Sequence, residues 1–259
     1  MSSAGAPGAA NSITGIRLAG IGKRFGEVVA LNGIDFEIDR HSRIGIVGPS
    51  GGGKSTLLHI VAGLMDPDVG EIDVEGATAA KDRLTKCAMM PQRDLLLPWR
   101  TALDNAILAL ENRGVPRAKA RAQTRPFFER FGLAQFENVR PAQLSGGMRQ
   151  RVSFMRTLMA EKDVLLLDEP FGALDSITRA QMQEWLLRAL GEVPRTVLLV
   201  THDVEEALLL SKTVVVMSAR PGRVVRTLAA DFPTTASRRE IVTSREFVEL
   251  KEQALEAIG

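Results

Sequence analysis

The sequence predicts an α/β fold with a mostly parallel central sheet, an antiparallel β subdomain and an inserted α-helical subdomain. Three observations support this prediction. Short apolar runs alternate with helical patterns through much of the chain, which is typical of a parallel sheet covered by helices. Residues 14–38 alternate between apolar and polar positions, as half-buried antiparallel strands do. Residues 99–156 contain only helical patterns separated by Pro and Gly, which indicates an insertion.

Further elements follow in order along the chain. RIGIVG at 43–48 is a short apolar run that ends in glycine and predicts a buried strand, and KSTLLHIVAGL after it predicts a helix. Other strands are predicted at 70–76, 86–90, 163–170, 196–203, 213–222 and 223–231. Other helices are predicted at 101–114, 117–133, 147–160 and 176–190, with an amphipathic helix pair or tail at 237–259.

These elements divide the chain into an expected main domain and two ends. The main domain is expected over residues 14–225, with the helical subdomain at about 93–157. Residues 226–259 are expected to form a C-terminal helical extension. Residues 1–13 are small and polar, which predicts a disordered tail and not a signal peptide.

Composition restricts the class of protein. The 33 Lys and Arg residues nearly balance the 31 Asp and Glu residues, so the net charge of +2 does not indicate a nucleic-acid partner. Cys87 is the single cysteine, so no disulfide can form within the chain, which fits a reducing cytosol. No apolar run approaches the roughly 18 to 20 residues that span a bilayer. The chain is therefore expected to be soluble.

Residues 48–56, GPSGGGKST, match the pattern G-x-x-x-x-G-K-[ST] between an apolar strand and a helix. Glycines let backbone N–H groups curl around phosphates, the lysine brings a positive charge, and the Ser55 hydroxyl can ligate Mg²⁺. This segment predicts a phosphate-binding loop. Its candidate nucleotide-binding residues are Gly48, Ser50, Gly51, Gly52, Gly53, Lys54, Ser55 and Thr56.

Two acids end the predicted strand LLLDEP at 165–170. Asp168 is placed to hold Mg²⁺ through its water shell, and Glu169 to polarise a water for in-line attack on a γ-phosphoryl group. Adjacent carboxylates can also simply begin a loop. The phosphate loop upstream favours the catalytic interpretation.

A second candidate phosphate site is LSGGMRQR at 144–151. Ser145, Gly146 and Gly147 precede a basic, polar helix start, and a helix N-terminus offers N–H groups and about half a positive charge to a phosphate. One small chain therefore carries two such sites.

The ordered set GPSGGGKST, PQ, LSGGMRQR, LLLDEP, GALD and THD resembles the nucleotide-binding subunit of an ATP-binding cassette (ABC) transporter. The resemblance covers roughly residues 14–225 and implies a phosphate-loop NTPase core with a RecA-like parallel sheet. It also implies ATP and Mg²⁺ as ligands. In this family two subunits pack head to tail, and each ATP lies between one chain's phosphate loop and the other chain's LSGG segment. Two phosphate sites therefore imply two chains.

The resemblance implies roles for further residues. Phe25 matches the aromatic residue that stacks on adenine, although a core phenylalanine is an alternative. Gln92 matches the glutamine that reaches Mg²⁺ and the attacking water, and His202 matches the histidine that contacts the γ-phosphate and orients Glu169. Asp175 matches a loop that crosses the dimer interface. Met148 departs from the family, where glutamine is commonest and can donate a hydrogen bond.

The segments LLLPWRTALDNAIL at 95–108 and MSARPGRVV at 217–225 resemble the nitrate, sulfonate and taurine import group, which also takes in importers of thiamine-precursor pyrimidines. The resemblance implies separate transmembrane permease subunits, an indirect solute-binding protein, and a peripheral place at the cytoplasmic face of the membrane. Trp99 would line the groove for the permease, although subdomain core is an alternative. An exporter or lipid-transport ATPase, or a nucleic-acid or ribosome-associated ATPase, remains a competing function.

Overall fold

Two sheets and ten α-helices make up the part of the chain that the computed structural model describes, which is residues 14–172, 174–192, 194–233 and 237–259. The predicted N-terminal tail, residues 1–13, lies outside these residues. The strands are β1 Thr14–Phe25, β2 Val28–Asp39, β3 Arg43–Val47, β4 Val69–Val74, β5 Cys87–Met90, β6 Val164–Asp168, β7 Thr196–Val200, β8 Thr213–Met217 and β9 Val224–Ala229. The helices are α1 Lys54–Ala62, α2 Ala80–Lys86, α3 Ala102–Ala106, α4 Leu108–Asn112, α5 Arg117–Arg130, α6 Gly146–Leu158, α7 Ser176–Glu192, α8 Val204–Leu210, α9 Arg238–Val242 and α10 Arg245–Ile258.

The larger sheet has six strands in the order β5-β6-β7-β3-β8-β9. All neighbouring pairs are parallel except the edge pair β8 and β9, which is antiparallel. The predicted α/β class with a mostly parallel sheet is therefore confirmed. Successive side chains of a strand point to opposite faces of the sheet, and here they belong to two different buried clusters, so both faces are covered. In β6, Leu165 and Leu167 pack on the helical side, while Val164 and Leu166 pack towards α1.

The smaller sheet is antiparallel and has the order β2-β1-β4. The predicted alternation is confirmed, since Ile34 and Ile38 are buried and Phe36 packs partly buried against the same cluster. This cluster also contains residues of α1 and of the large sheet. The antiparallel sheet therefore packs on the same side of the large sheet as α1.

Helices α3 to α6 lie between β5 and β6, where the sequence predicts the helical insertion, together with two 3₁₀ turns at Ala134–Phe136 and Pro141–Gln143. The segment predicted as one helix at 101–114 is divided into α3 and α4 at Ile107. Helix α2 has no counterpart in the sequence prediction. Its only buried side chain is Arg83, which donates to the Ile60 carbonyl and pairs with Asp66, so it shows no apolar periodicity.

The C-terminal stretch forms the predicted helix pair, α9 and α10. The predicted apolar face of α10 is confirmed, since Phe247 and Ala254 are buried and Leu250 and Ile258 are partly buried in a cluster with α8 and β8. Both helices begin with a serine whose hydroxyl accepts an N–H bond, Ser237 and Ser244. None of the helices in the described part of the chain is long and apolar enough to cross a membrane.

Candidate nucleotide site

Four functional segments meet at one edge of the large sheet. Gln92 follows β5, Asp168 and Glu169 end β6, His202 follows β7, and the phosphate loop follows β3. These strands are neighbours in the order β5-β6-β7-β3, and their parallel direction places all four carboxyl ends together. The topology therefore brings residues more than a hundred positions apart into one site.

The phosphate loop is closely packed, which explains its glycines. A Cβ on Gly52 would lie 2.7 Å from the Ser218 carbonyl oxygen, and one on Gly53 would lie 2.6 Å from Leu31 Cδ2. Gly53 also has a φ of +85°, a left-handed conformation that side chains rarely adopt. The loop can therefore keep its shape only with glycine at these positions.

Lys54 begins α1 and is buried beneath the loop. Its Nζ donates hydrogen bonds of 2.8 Å to the carbonyl oxygens of Gly48 and Pro49. Burial lowers the pKa of the Lys54 ammonium, while the carboxylates of Glu169 and Asp168 oppose that shift. The lysine is thus held next to two acids and inside the loop that the sequence predicts to bind phosphate.

Asp168 is buried at the end of β6 beside the start of α1. Burial raises the pKa of the Asp168 carboxyl, and a hydrogen bond with the Ser55 side chain opposes this shift. The predicted pair of magnesium ligands, Ser55 and Asp168, therefore lies together in the structure.

Glu169 has an unusual backbone conformation, with a φ of +48°. Its N–H donates to the Val200 carbonyl at 2.8 Å, which fixes the turn. Its Oε2 accepts a 3.0 Å bond from Gln92 Nε2, and its Oε1 lies 3.4 Å from His202 Nδ1. Two of the residues predicted to be catalytic, Gln92 and His202, therefore each contact the third, Glu169.

A cleft of about 490 Å³ opens over the phosphate loop. Its lining includes Phe25, Val28, Gln92 and Glu169 besides the loop itself. Phe25 is 49% exposed, so the alternative that it is a core residue is wrong. The aromatic ring lies at the cleft, where it can offer a stacking face.

Ser145 begins α6 and accepts a 3.2 Å bond from the Met148 N–H. The LSGG residues, Ser145, Gly146 and Gly147, do not line the cleft of their own chain. The Met148 side chain packs against the apolar cluster shared by the helical insertion and the large sheet, so an apolar residue at this position contributes to packing.

The sequence did not identify the contacts that join α6 to the catalytic segments. Buried Gln150 donates to the carbonyl oxygens of Glu169 (3.4 Å) and Pro170 (3.2 Å). Arg149 pairs with Asp94 at 2.9 Å and donates to the Leu144 carbonyl at 2.8 Å. These bonds connect the LSGG helix with both Glu169 and the segment that follows Gln92.

Two predicted interface residues lie at the surface. Trp99 is 68% exposed, so the alternative that it belongs to the subdomain core is wrong. Leu95, which also follows Gln92 in the chain, is 61% exposed. Asp175 is exposed and accepts a 3.0 Å bond from the Thr178 N–H at the start of α7.

Glu206 is a buried acid on α8, four positions after His202. It accepts a 3.5 Å bond from Gln183 Nε2, and its other oxygen, Oε1, has no hydrogen-bond partner among the described residues. Burial raises the pKa of Glu206 to about 7, with the Thr201 side chain opposing the shift, nearby Asp203 adding to it and Arg179 opposing it. The folded protein therefore holds a proton here that the unfolded chain releases at lower pH.

We expect Glu206→Gln to remove a pH-dependent loss of stability. A carboxyl pKa of about 7 in the fold, against 4.5 when exposed, favours the folded state at low pH. This advantage is lost as pH rises from about 4.5 to about 7, by on the order of 3 kcal/mol. Thermal unfolding should give similar Tm values for wild type and variant at pH 5, and a higher Tm for the variant at pH 8.

Glu205→Gln is the matched control, because the neighbouring Glu205 is 40% exposed and pairs with Lys251. That variant should keep the wild-type pH dependence. Parallel Tm profiles for wild type and Glu206→Gln from pH 5 to pH 8 would contradict the assignment of a buried, proton-binding Glu206.

Known proteins resemble this chain both in sequence and in fold. The sequence pattern of the family described as ABC transporter matches residues 31–172. An aliphatic sulfonates import ATP-binding protein of Rhodococcus jostii is 47% identical over 209 residues, 81% of each chain. A taurine import ATP-binding protein of Rhizobium johnstonii is 41% identical over 89% of each chain. A solved dimer of the ATP-binding cassette MJ0796 with ADP and Pi superposes with a TM-score of 0.75 at 28% identity, covering 84% of this chain and 100% of that one.

Proposed function

The chain belongs to the ABC transporter family as an ATPase, and from that premise we propose that it powers the import of a small organic sulfonate. The observation that carries the proposal is the identity of 47% and 41% to two named import subunits over at least 81% of each chain. These relatives favour import over export and over action on nucleic acid. We assign residues 14–225 to the ATPase domain, about 93–157 to its helical subdomain, and 226–259 to a C-terminal extension.

ATP is the substrate of this site, and the neighbouring residues support a division of roles. Phe25 stacks on adenine, and the loop residues Gly48 to Thr56 hold the phosphates. Glu169 accepts a proton from the attacking water, because its carboxylate lines the cleft close enough to Lys54 to interact with its charge. His202 and Gln92 contact the two oxygens of Glu169 and thus orient it.

The donor set fits Mg²⁺. Asp168 is a buried carboxylate, and Ser55, in hydrogen-bond contact with it, adds a hydroxyl; Gln92 supplies an amide at the edge of the same cleft. Oxygen donors of this kind are what Mg²⁺ prefers, usually with several waters retained. When bound there, the ion would neutralise charge on the phosphates.

The solved cassette dimer supports assembly of two copies of this chain. In a head-to-tail dimer, Ser145, Gly146 and Gly147 complete the site over the partner's phosphate loop, which fits their position outside the cleft of their own chain. Asp175 lies at the contact between the copies. Loss of the γ-phosphate weakens the contact with the LSGG helix, so the dimer opens after hydrolysis.

We propose that the permease consists of separate transmembrane subunits fed by a solute-binding protein, so that this chain works at the cytoplasmic face of the membrane. The exposed apolar pair Leu95 and Trp99 supports this, since exposed apolar patches commonly mark partner sites. The pair lies in the segment that follows Gln92. Arg156 donates to the carbonyl oxygens of Asp94 and Leu95 in this segment, at 2.7 and 2.8 Å.

Trp99→Asp is expected to weaken association with the permease about tenfold or more, because an exposed tryptophan commonly anchors an interface. The Tm of the isolated chain should change little, since the side chain is 68% exposed. Co-purification from detergent measures the effect. Leu64→Asp is the control, since Leu64 is 58% exposed and lies at the end of α1. Equal recovery of the permease by both variants would contradict the assignment.

The experiment that tests the function is purification of the tagged chain from its own membranes in mild detergent, with partners identified by mass spectrometry. We expect a multi-span permease. The complex in proteoliposomes should then hydrolyse ATP faster when its solute-binding protein carries taurine or an alkanesulfonate. Stimulation by nitrate or a pyrimidine precursor, but by no sulfonate, would contradict the solute class. Recovery of ribosomes or repair factors without a permease would contradict transport.

A further inference from the structure

Arg220 lies at the mouth of the nucleotide cleft, and none of the motif roles described above includes it. It occupies the loop between β8 and β9 and is exposed. Together with Phe25, Ser50 and Gly51 it lines the cleft over the phosphate loop. A side chain far along the sequence from the loop therefore adds a positive charge to the same cavity.

The guanidinium lies directly beside the tip of the phosphate loop. Arg220 Nε donates a long hydrogen bond of 3.4 Å to the Gly51 carbonyl oxygen. Its NH2 nitrogen lies 3.6 Å from the position that a Cβ on Gly51 would occupy. Among the described residues, no carboxylate comes within 4.0 Å of this guanidinium. Its charge is therefore not compensated by an ion pair in that part of the chain.

A positive charge in this cleft is complementary to the phosphates of a nucleotide. Among the described residues, the other cation that lines the cavity is Lys54, which is buried and already donates to two loop carbonyls. Glu169 lines the cavity with a negative charge. Arginine presents several N–H donors in a planar fork that matches phosphate oxygens, and it stays charged at every relevant pH. An anionic phosphate chain is a better acceptor for that fork than the distant Gly51 carbonyl.

We propose that Arg220 is a nucleotide-binding residue that contacts the phosphate chain of ATP and keeps its contact with ADP. The inference rests on the cleft being the ATP site. Arg220 adds binding energy to substrate and product alike, so it acts on affinity and not on the chemical step. It is therefore distinct in role from Glu169 and from the LSGG residues.

Calorimetric titration of the isolated chain with ADP tests the proposal. ADP lacks the γ-phosphate, so its binding does not depend on the partner's LSGG helix. We expect Arg220→Ala to raise the Kd for ADP about fivefold, a typical effect for an exposed charged contact. Affinity should also fall less steeply with added salt, because one phosphate contact is lost. Arg220→Lys, which keeps the charge, should recover part of the affinity.

Arg223→Ala is the matched control, because Arg223 is exposed in the same loop but does not line the cleft. It should bind ADP as the wild type does, and Tm values confirm that each variant is folded. An unchanged Kd for ADP in Arg220→Ala would overturn the proposal. Weaker binding with an unchanged salt dependence would also overturn it, since Arg220 would then only support the loop.

Lys54→Ala separates this inference from the identity of the site. If Lys54→Ala also left ADP binding unchanged, the cleft would not be the nucleotide site, and the proposed function would fail. If Lys54→Ala lost ADP binding while Arg220→Ala kept it, only the role of Arg220 would fail. A loss in Arg220→Ala confined to ATP-dependent dimerisation would place Arg220 at the partner chain and overturn the nucleotide contact.

Discussion

Glu169→Gln is expected to lower kcat for ATP hydrolysis by about 10²- to 10⁴-fold, the usual contribution of a general base. The amide keeps the size of the side chain and can still contact Gln92 and His202, but it cannot accept a proton from water. Binding of ATP should persist, because Lys54 and the loop glycines are unchanged. The variant should therefore accumulate as an ATP-bound dimer, which size-exclusion chromatography with ATP can measure.

The geometry around Glu169 makes this test specific. Its backbone is held by Val200 and Gln150, so the substitution removes the charge without releasing the turn. Glu184→Gln is a suitable control, because Glu184 is exposed on α7 and should leave hydrolysis and dimerisation unchanged. Hydrolysis by Glu169→Gln at the wild-type rate would contradict the assignment of the base, whatever the state of the dimer.

Local chemistry explains which parts of this site the sequence predicts. The phosphate loop needs glycine where the backbone is crowded by Leu31 and Ser218, and those glycines leave a pattern of fixed spacing. Asp168 ends an apolar strand, and in parallel sheets ligands bind at the carboxyl ends of the strands, so its place in the site is also predictable. Gln92 and His202 required the resemblance to the family, because a lone Gln or His carries no local pattern.

Contacts across the fold explain what the sequence leaves out. Gln150 reaches the Glu169 carbonyl, Arg149 pairs with Asp94, and Arg220 lies beside Gly51, each over a separation that no periodicity encodes. The burial of Glu206 also depends on contacts across the fold. Glu205 and Glu206 are adjacent acids in α8, and Glu206 is the one that packs against Gln183 of α7, while Glu205 stays partly exposed beside Lys251. These polar side chains act through contacts between segments that are distant in the chain, and helix α8, which carries Glu206, was not predicted at all.

Ser145→Arg is expected to abolish turnover while leaving the binding of one ATP per isolated chain intact. Ser145 lies outside the cleft of its own chain, so the Kd for ATP should not change. The new side chain would occupy the place at the α6 N-terminus that the partner's γ-phosphate requires, and the N-cap bond to Met148 would be lost. The lost cap costs about 1 kcal/mol of stability, so a small fall in Tm is expected. Loss of ATP binding by the isolated variant would contradict a shared site.

Mixing two inactive variants tests the shared site directly. Ser145→Arg keeps an intact phosphate loop, and Lys54→Ala keeps an intact LSGG helix. In a head-to-tail dimer of the two, Lys54 of one chain faces Ser145 of the other, so one complete site forms and the second lacks both groups. With Glu169→Gln added to both chains to prevent hydrolysis, ATP should induce a heterodimer that retains one nucleotide, while neither variant alone should dimerise. If each chain completed its own site, no combination of these two variants could restore the ATP-bound dimer. Recovery of the heterodimer therefore follows only from a site built by two chains.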